Sequence, residues 1–166
     1  MSVIATEMLA GATADRHDGG GPSPRLSTDF LNRYSEALML IEMAAMDESV
    51  LADLQAWECV GYREHFVAST LRCAASALAA YDGLEAGRAE AFDTLCLSMS
   101  ALIRTVTARL AETPPPELET YVEVAGETLR RQIARATRFI NTNGADDVAP
   151  FEDIALQAQV DALFAG

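Results

Sequence analysis

Apolar residues recur at spacings of three and four along most of the chain, with few β-branched alternations, so the pattern predicts helices and no sheet. Ser27-Thr28-Asp29 offers N-cap chemistry, and Phe30, Leu31, Tyr34, Leu38, Ile41 and Ala45 follow on one face of a helix running to about Met46. Asp47 or Ser49 caps a short second helix carrying Val50, Leu51, Leu54 and Trp57 and ending near Gly61. A third is expected from about Tyr62 to Tyr81, with Phe66, Thr70, Cys73, Ala77 and Tyr81 in one stripe, closed by Asp82-Gly83. The clearest periodicity belongs to the fourth, where Phe92, Leu95, Cys96, Met99, Leu102, Ile103, Val106 and Leu110 should line the core. Thr113-Pro114-Pro115-Pro116 stops it and starts a fifth, about Glu117 to Asn141. That helix buries Leu118, Val122, Ala125, Leu129, Ile133, Ala136 and Ile140, and Asn143-Gly144 supplies a left-handed C-cap.

These elements predict an all-α fold. It is an antiparallel four-helix bundle over residues 28–144, made of helices one, three, four and five, with the short second helix as connector. Residues 1–27 read as a disordered leader, because GATADRHDGGGPSP from Gly11 to Pro24 carries too little apolar surface to offset the entropy of ordering. Residues 145–166 read as an acidic spacer followed by an amphipathic tail helix. On a helical wheel Leu156, Val160, Leu163 and Phe164 fall on one side, bordered by Asp153 and Gln157. A helix this short is marginal alone in water and orders only against something else.

Composition narrows the function. The chain has 166 residues, with 12 basic groups, all arginine, against 25 acidic ones and a net charge of −13. A field of that sign repels phosphate backbones and anionic headgroups, which argues against nucleic-acid and membrane-surface roles. No apolar run approaches the ~20 residues needed to cross a bilayer, and the first nine residues lack the pattern of a signal peptide. Cys59, Cys73 and Cys96 match neither a disulfide framework nor a zinc pattern. The expected location is therefore the cytoplasm.

Candidate chemistry within the body is sparse, and no cofactor or metal is implied. Glu58, Tyr62 and His65 would share a face only if helix ran through Gly61, so the preferred reading is a helix start with a satisfied histidine. Cys59 would be a nucleophile if a neighbour such as Arg63 lowered its pKa, but all three cysteines read better as packing residues. Arg131, Arg135 and Arg138 follow an amino half carrying Glu117, Glu119, Glu123 and Glu127. The helix macrodipole and a Glu127–Arg131 pair account for this, each contributing about a few tenths of a kcal/mol. The sharper alternative is a basic stripe that receives an acidic surface, either a partner's or the chain's own Asp146, Asp147, Glu152 and Asp153.

The functional lead lies at the carboxy end. Gln157-Ala158-Gln159-Val160-Asp161-Ala162-Leu163-Phe164 resembles the receiver-binding peptides of the CheZ family of chemotaxis phosphatases and of the FliM flagellar switch proteins, which share a Gln-x-x-(Val/Ile)-Asp-x-Leu pattern. The resemblance implies a tethered helix docking on a phosphorylated CheY-like receiver. Carried over, Val160, Leu163 and Phe164 would fill the groove, with Gln157 and Asp161 making polar contacts; Leu156 shares their face on the helical wheel. A second stretch, Phe151-Glu152-Asp153-Ile154-Ala155-Leu156-Gln157, is similar to the catalytic Phe-Gln-Asp-x-x-x-Gln segment of the same phosphatases. It implies that Gln157 orients the attacking water and Asp153 contacts the receiver's lysine. Both stretches use Gln157, so only one can be carried over, and the docking peptide is preferred. The leading expectation is thus a non-enzymatic signalling or motility adaptor acting by protein–protein contact, with a receiver phosphatase as the enzyme-class rival. A third reading is a small-ligand site where Tyr34, Tyr62, Trp57 and His65 converge.

Overall fold

The computed structural model describes residues 21–112, 115–148 and 162. Among them there is no strand, and six α-helices follow a 3₁₀ turn at Thr28–Leu31: α1 (Asn32–Ala44), α2 (Val50–Ala56), α3 (Tyr62–Val67), α4 (Ala74–Asp82), α5 (Ala86–Glu112) and α6 (Pro115–Asn141). The fold class is all-α. Helices α1, α5 and α6 pack pairwise on one another, α2 lies on α1 and α5, and α4 packs on α3.

The first turn begins where the sequence places it. Ser27 is extended and its hydroxyl accepts the Asp29 N–H, so one orphan donor is satisfied before α1 continues from the turn. Phe30, Leu31, Tyr34, Ala37, Ile41 and Ala44 are buried. Leu38 is only partly buried and Ala45 is exposed, because the buried stripe takes the alanines at 37 and 44 and the helix stops at Ala44. Helix α2 also stops early, at Ala56, since Trp57 turns extended.

The expected third helix is two. Between Val67 and Ala74 the Ser69 hydroxyl accepts the Leu71 N–H at 3.1 Å, a side-chain bond that competes with the helical ladder. The break folds α3 and α4 against each other and stacks Tyr62 on Tyr81, ring centroids 5.1 Å apart. Thr70 and Cys73 of the predicted stripe are consequently exposed.

Helix α5 buries its periodic face as expected, from Phe92 to Val106, with Leu110 partly covered. Helix α6 buries Val122, Ala125, Leu129, Ala136 and Ile140, together with Tyr121 and Phe139; Leu118 and Ile133 are half-buried. An aromatic chain ties the elements together. Phe30 meets Tyr34 and Tyr62 edge-on at 5.5 and 5.2 Å, and Phe92 stacks on Phe139 at 4.8 Å.

The end of α6 is closed by Asn143 (φ 53) and Gly144 (φ 79), whose N–H donates to the Phe139 carbonyl at 2.8 Å. Asn143 also clasps the start of the body: its Oδ1 accepts the Leu26 N–H at 2.8 Å and its Nδ2 donates to the Pro24 carbonyl at 3.2 Å. Leu26 is buried, and the Ser27 N–H donates to the Tyr62 hydroxyl at 2.9 Å. Residues 24–27 therefore belong to the body rather than to a leader. Residues 145–148 likewise begin on the body: Arg88 donates to the Gly144 and Ala145 carbonyls at 2.7 and 2.8 Å, and Val148 is buried.

Candidate functional site

The tail residues singled out from sequence, Leu156, Gln157, Val160, Asp161, Leu163 and Phe164, lie outside the described residues, as do Phe151, Glu152 and Asp153. Ala162 alone is described there, helical and exposed. The site geometry therefore concerns the body.

Glu58, Tyr62 and His65 do not share one helix. Gly61 is extended and starts α3 rather than continuing α2, so Glu58 stands on the irregular connection, where its carbonyl accepts from Arg33 at 2.7 Å. His65 Nε2 lies 3.1 Å from Asp29 Oδ2, joining α3 to the 3₁₀ turn. Tyr62 is buried, which pushes its hydroxyl up to about 12 against the lowering effect of the Ser27 N–H.

Of the four groups expected to converge on a ligand, two line one cleft and the other two do not reach it. Tyr34 and Tyr62 line a cleft of about 340 Å³ bounded by α3, α4, α5 and residues 59–61. Trp57 instead donates its Nε1–H to the Arg33 carbonyl at 3.1 Å and borders a separate depression on α1 and α2, while His65 is held by Asp29. On one wall of the cleft the Tyr34 hydroxyl reaches the Cys96 carbonyl and Ser100 Oγ, and the Cys59 thiol donates to the same Ser100 oxygen at 3.1 Å. On the other, the Tyr81 hydroxyl donates to both oxygens of Asp93, at 2.8 and 2.7 Å.

Burial raises the pKa of Tyr34 and of the Cys96 thiol, and burial followed by the Asp93 hydrogen bond raises that of Tyr81. Cys96 is a buried, protonated packing residue, and Cys59 acts as a hydrogen-bond donor although its residue is exposed, as is Cys73. The Tyr34 and Tyr81 hydroxyls thus stand as neutral hydrogen-bonding groups at the cleft. Among the described residues, no cluster of three or more His, Cys, Asp or Glu is placed to hold a metal ion, and no helix is long and apolar enough to cross a membrane.

Arg131 of the arginine stripe is engaged along the helix. Glu127 accepts from Arg131 and from Arg130, each at 2.8 Å, and these hydrogen bonds, Arg131 first, hold its carboxyl below the usual range. Arg130 also bridges to Glu42 on α1. Arg130 was not among the stripe residues picked from sequence, because its partner lies 88 positions away. The Tyr81–Asp93 pair was missed as well; its one signal is an acid set beside Phe92 at the edge of the core stripe.

A further feature invisible to the core pattern is a row of exposed methionines on and after α1: Met39, Met43 and Met46, 52%, 39% and 86% accessible. Met46 shares a surface depression with Glu119 and Val122 of α6. No family model, curated protein or solved structure matches the chain.

Proposed function

We propose that the chain is a non-enzymatic helical interaction protein of the cytoplasm, a signalling or motility adaptor whose C-terminal segment docks on a receiver-type partner. In this reading α1, the α3–α4 pair that takes the place of the expected third helix, α5 and α6 serve as an antiparallel four-helix scaffold that carries the docking peptide. The observation that supports an interaction role is the methionine row at positions 39, 43 and 46. Three large flexible apolar side chains held in water at helical spacing suit a surface that meets other proteins. The partner class comes from the Gln157-x-x-Val160-Asp161-x-Leu163 pattern: Val160, Leu163 and Phe164 fill a groove, Gln157 and Asp161 make polar contacts, and Leu156 extends the same apolar face.

The test is binding of the full chain to a CheY-like receiver in its phosphorylated and unphosphorylated forms. Preferential binding of the phosphorylated form, lost on Leu163→Ala or truncation after Pro150, with no change in dephosphorylation rate, is the expected result. Absence of binding to either form overturns the receiver assignment. Faster phosphate loss abolished by Gln157→Ala replaces the adaptor with a phosphatase in which Asp153 and Gln157 act on the receiver.

A further inference from the structure

We propose that the cleft between α3, α4 and α5 binds a small apolar organic cation of the arylalkylammonium type, with Asp93 as its counter-ion and the Tyr81 ring and Leu97 as its apolar flanks. This site goes beyond the interaction role and is independent of it.

Its volume of about 340 Å³ is at the lower end of the range for small-molecule sites, roughly 300–1,000 Å³. The stacked Tyr62 and Tyr81 form part of the lining, and Leu97 stands at the cleft 60% exposed, an apolar side chain that the core does not use. Of the charged groups at the lining, Arg63 and Glu64 are exposed and Asp93 is set into the surface. It is half-buried, it receives only the Tyr81 hydroxyl, and among the described residues no cation pairs with it.

The nearest candidate partner is already committed. Arg63 lines the cleft but its guanidinium bridges to Asp82, at 3.1 Å from Nε. A carboxylate accepting from a single phenol keeps free lone pairs, which an ammonium N–H fills. The Tyr81 ring, alone among the three tyrosines at the cleft in not being fully buried, attracts the same charge. Glu64 at the lining and a net charge of −13 disfavour an anion and concentrate cations around the molecule.

The experiment titrates phenethylammonium into the full chain, followed by amide NMR. Phenylethanol serves as the neutral probe of the same size, and hydrocinnamate as the probe of opposite charge. The expected result is a Kd roughly tenfold or more lower for the ammonium than for the alcohol, no binding of the carboxylate, and shifts centred on residues 59–64, 81 and 93–97. Asp93→Asn should remove the preference for charge. Leu97→Arg, at an exposed position that leaves folding intact, should block the cleft and abolish binding of both. Equal affinity for ammonium and alcohol overturns the proposal, as do shifts scattered over the acidic surface or binding that survives Leu97→Arg.

Discussion

The Tyr34 hydroxyl on α1 lies 3.2 Å from the Cys96 carbonyl oxygen and 3.2 Å from Ser100 Oγ on α5. Both side chains are fully buried, so this polar knot is made where water cannot substitute for a lost partner. Tyr34→Phe keeps the ring packing and removes the donor. The expected loss is about 1 kcal/mol of unfolding free energy, measured by urea denaturation. Ser100→Ala should cost a similar amount, and the double variant less than the sum, because the two hydroxyls share one network.

Phe92 joins three elements, stacking on Phe139 of α6 and meeting Phe30 and Tyr62. Phe92→Ala should destabilise by about 3–5 kcal/mol, a large fraction of the 5–15 kcal/mol typical of a domain. Leu97→Ala, five residues along the same helix but exposed, should fall within about 0.5 kcal/mol of the parent. Equal effects at the two positions would contradict the orientation of α5.

Gly144 sits at φ 79, and a Cβ there would overlap the Leu84 side chain. Gly144→Ala combines left-handed strain with a steric conflict, and should cost about 2 kcal/mol or more in thermal or urea unfolding. Asn143→Asp retains the acceptor for the Leu26 N–H but loses the donor to Pro24, so it should be the milder change.

The pH response on the alkaline side follows from the tyrosines. Burial pushes Tyr62 and Tyr121 up to about 12, and Tyr34 and Tyr81 are raised as well. An unfolded tyrosine ionises near pH 10, so above that value the unfolded chain releases protons that the folded chain retains. The stabilisation is complete below about pH 10 and is lost progressively as pH rises toward 12. Tyrosinate absorbance should therefore rise together with the loss of helical circular dichroism. Gradual ionisation from pH 10 with the helices intact would refute the assignment.

Helix type and the faces of α5 and α6 were legible because a period near 3.6 records which side meets the core, and the Asn143-Gly144 cap because few residues adopt positive φ without cost. The break inside the expected third helix was not, since Ser69 binding its own backbone competes with a ladder that the surrounding alanines favour equally well. Pairs such as Tyr81–Asp93, His65–Asp29 and Arg130–Glu42 depend on which helices become neighbours, and nothing in a local pattern encodes that. The cleft was half legible. Tyr34 and Tyr62 were anticipated, whereas Trp57 and His65 were diverted by the Arg33 carbonyl and the Asp29 carboxylate.

The clasp between Asn143 and residues 24–26 brings the chain's entry to the body beside its exit. An insertion made directly at residues 24–26 or at Asn143 would therefore disturb the same pole. The methionine row runs the other way, ending where Met46 neighbours Glu119 near the far end of α6. Among the described residues, entry and exit thus share one pole while the methionine row leads toward the opposite one.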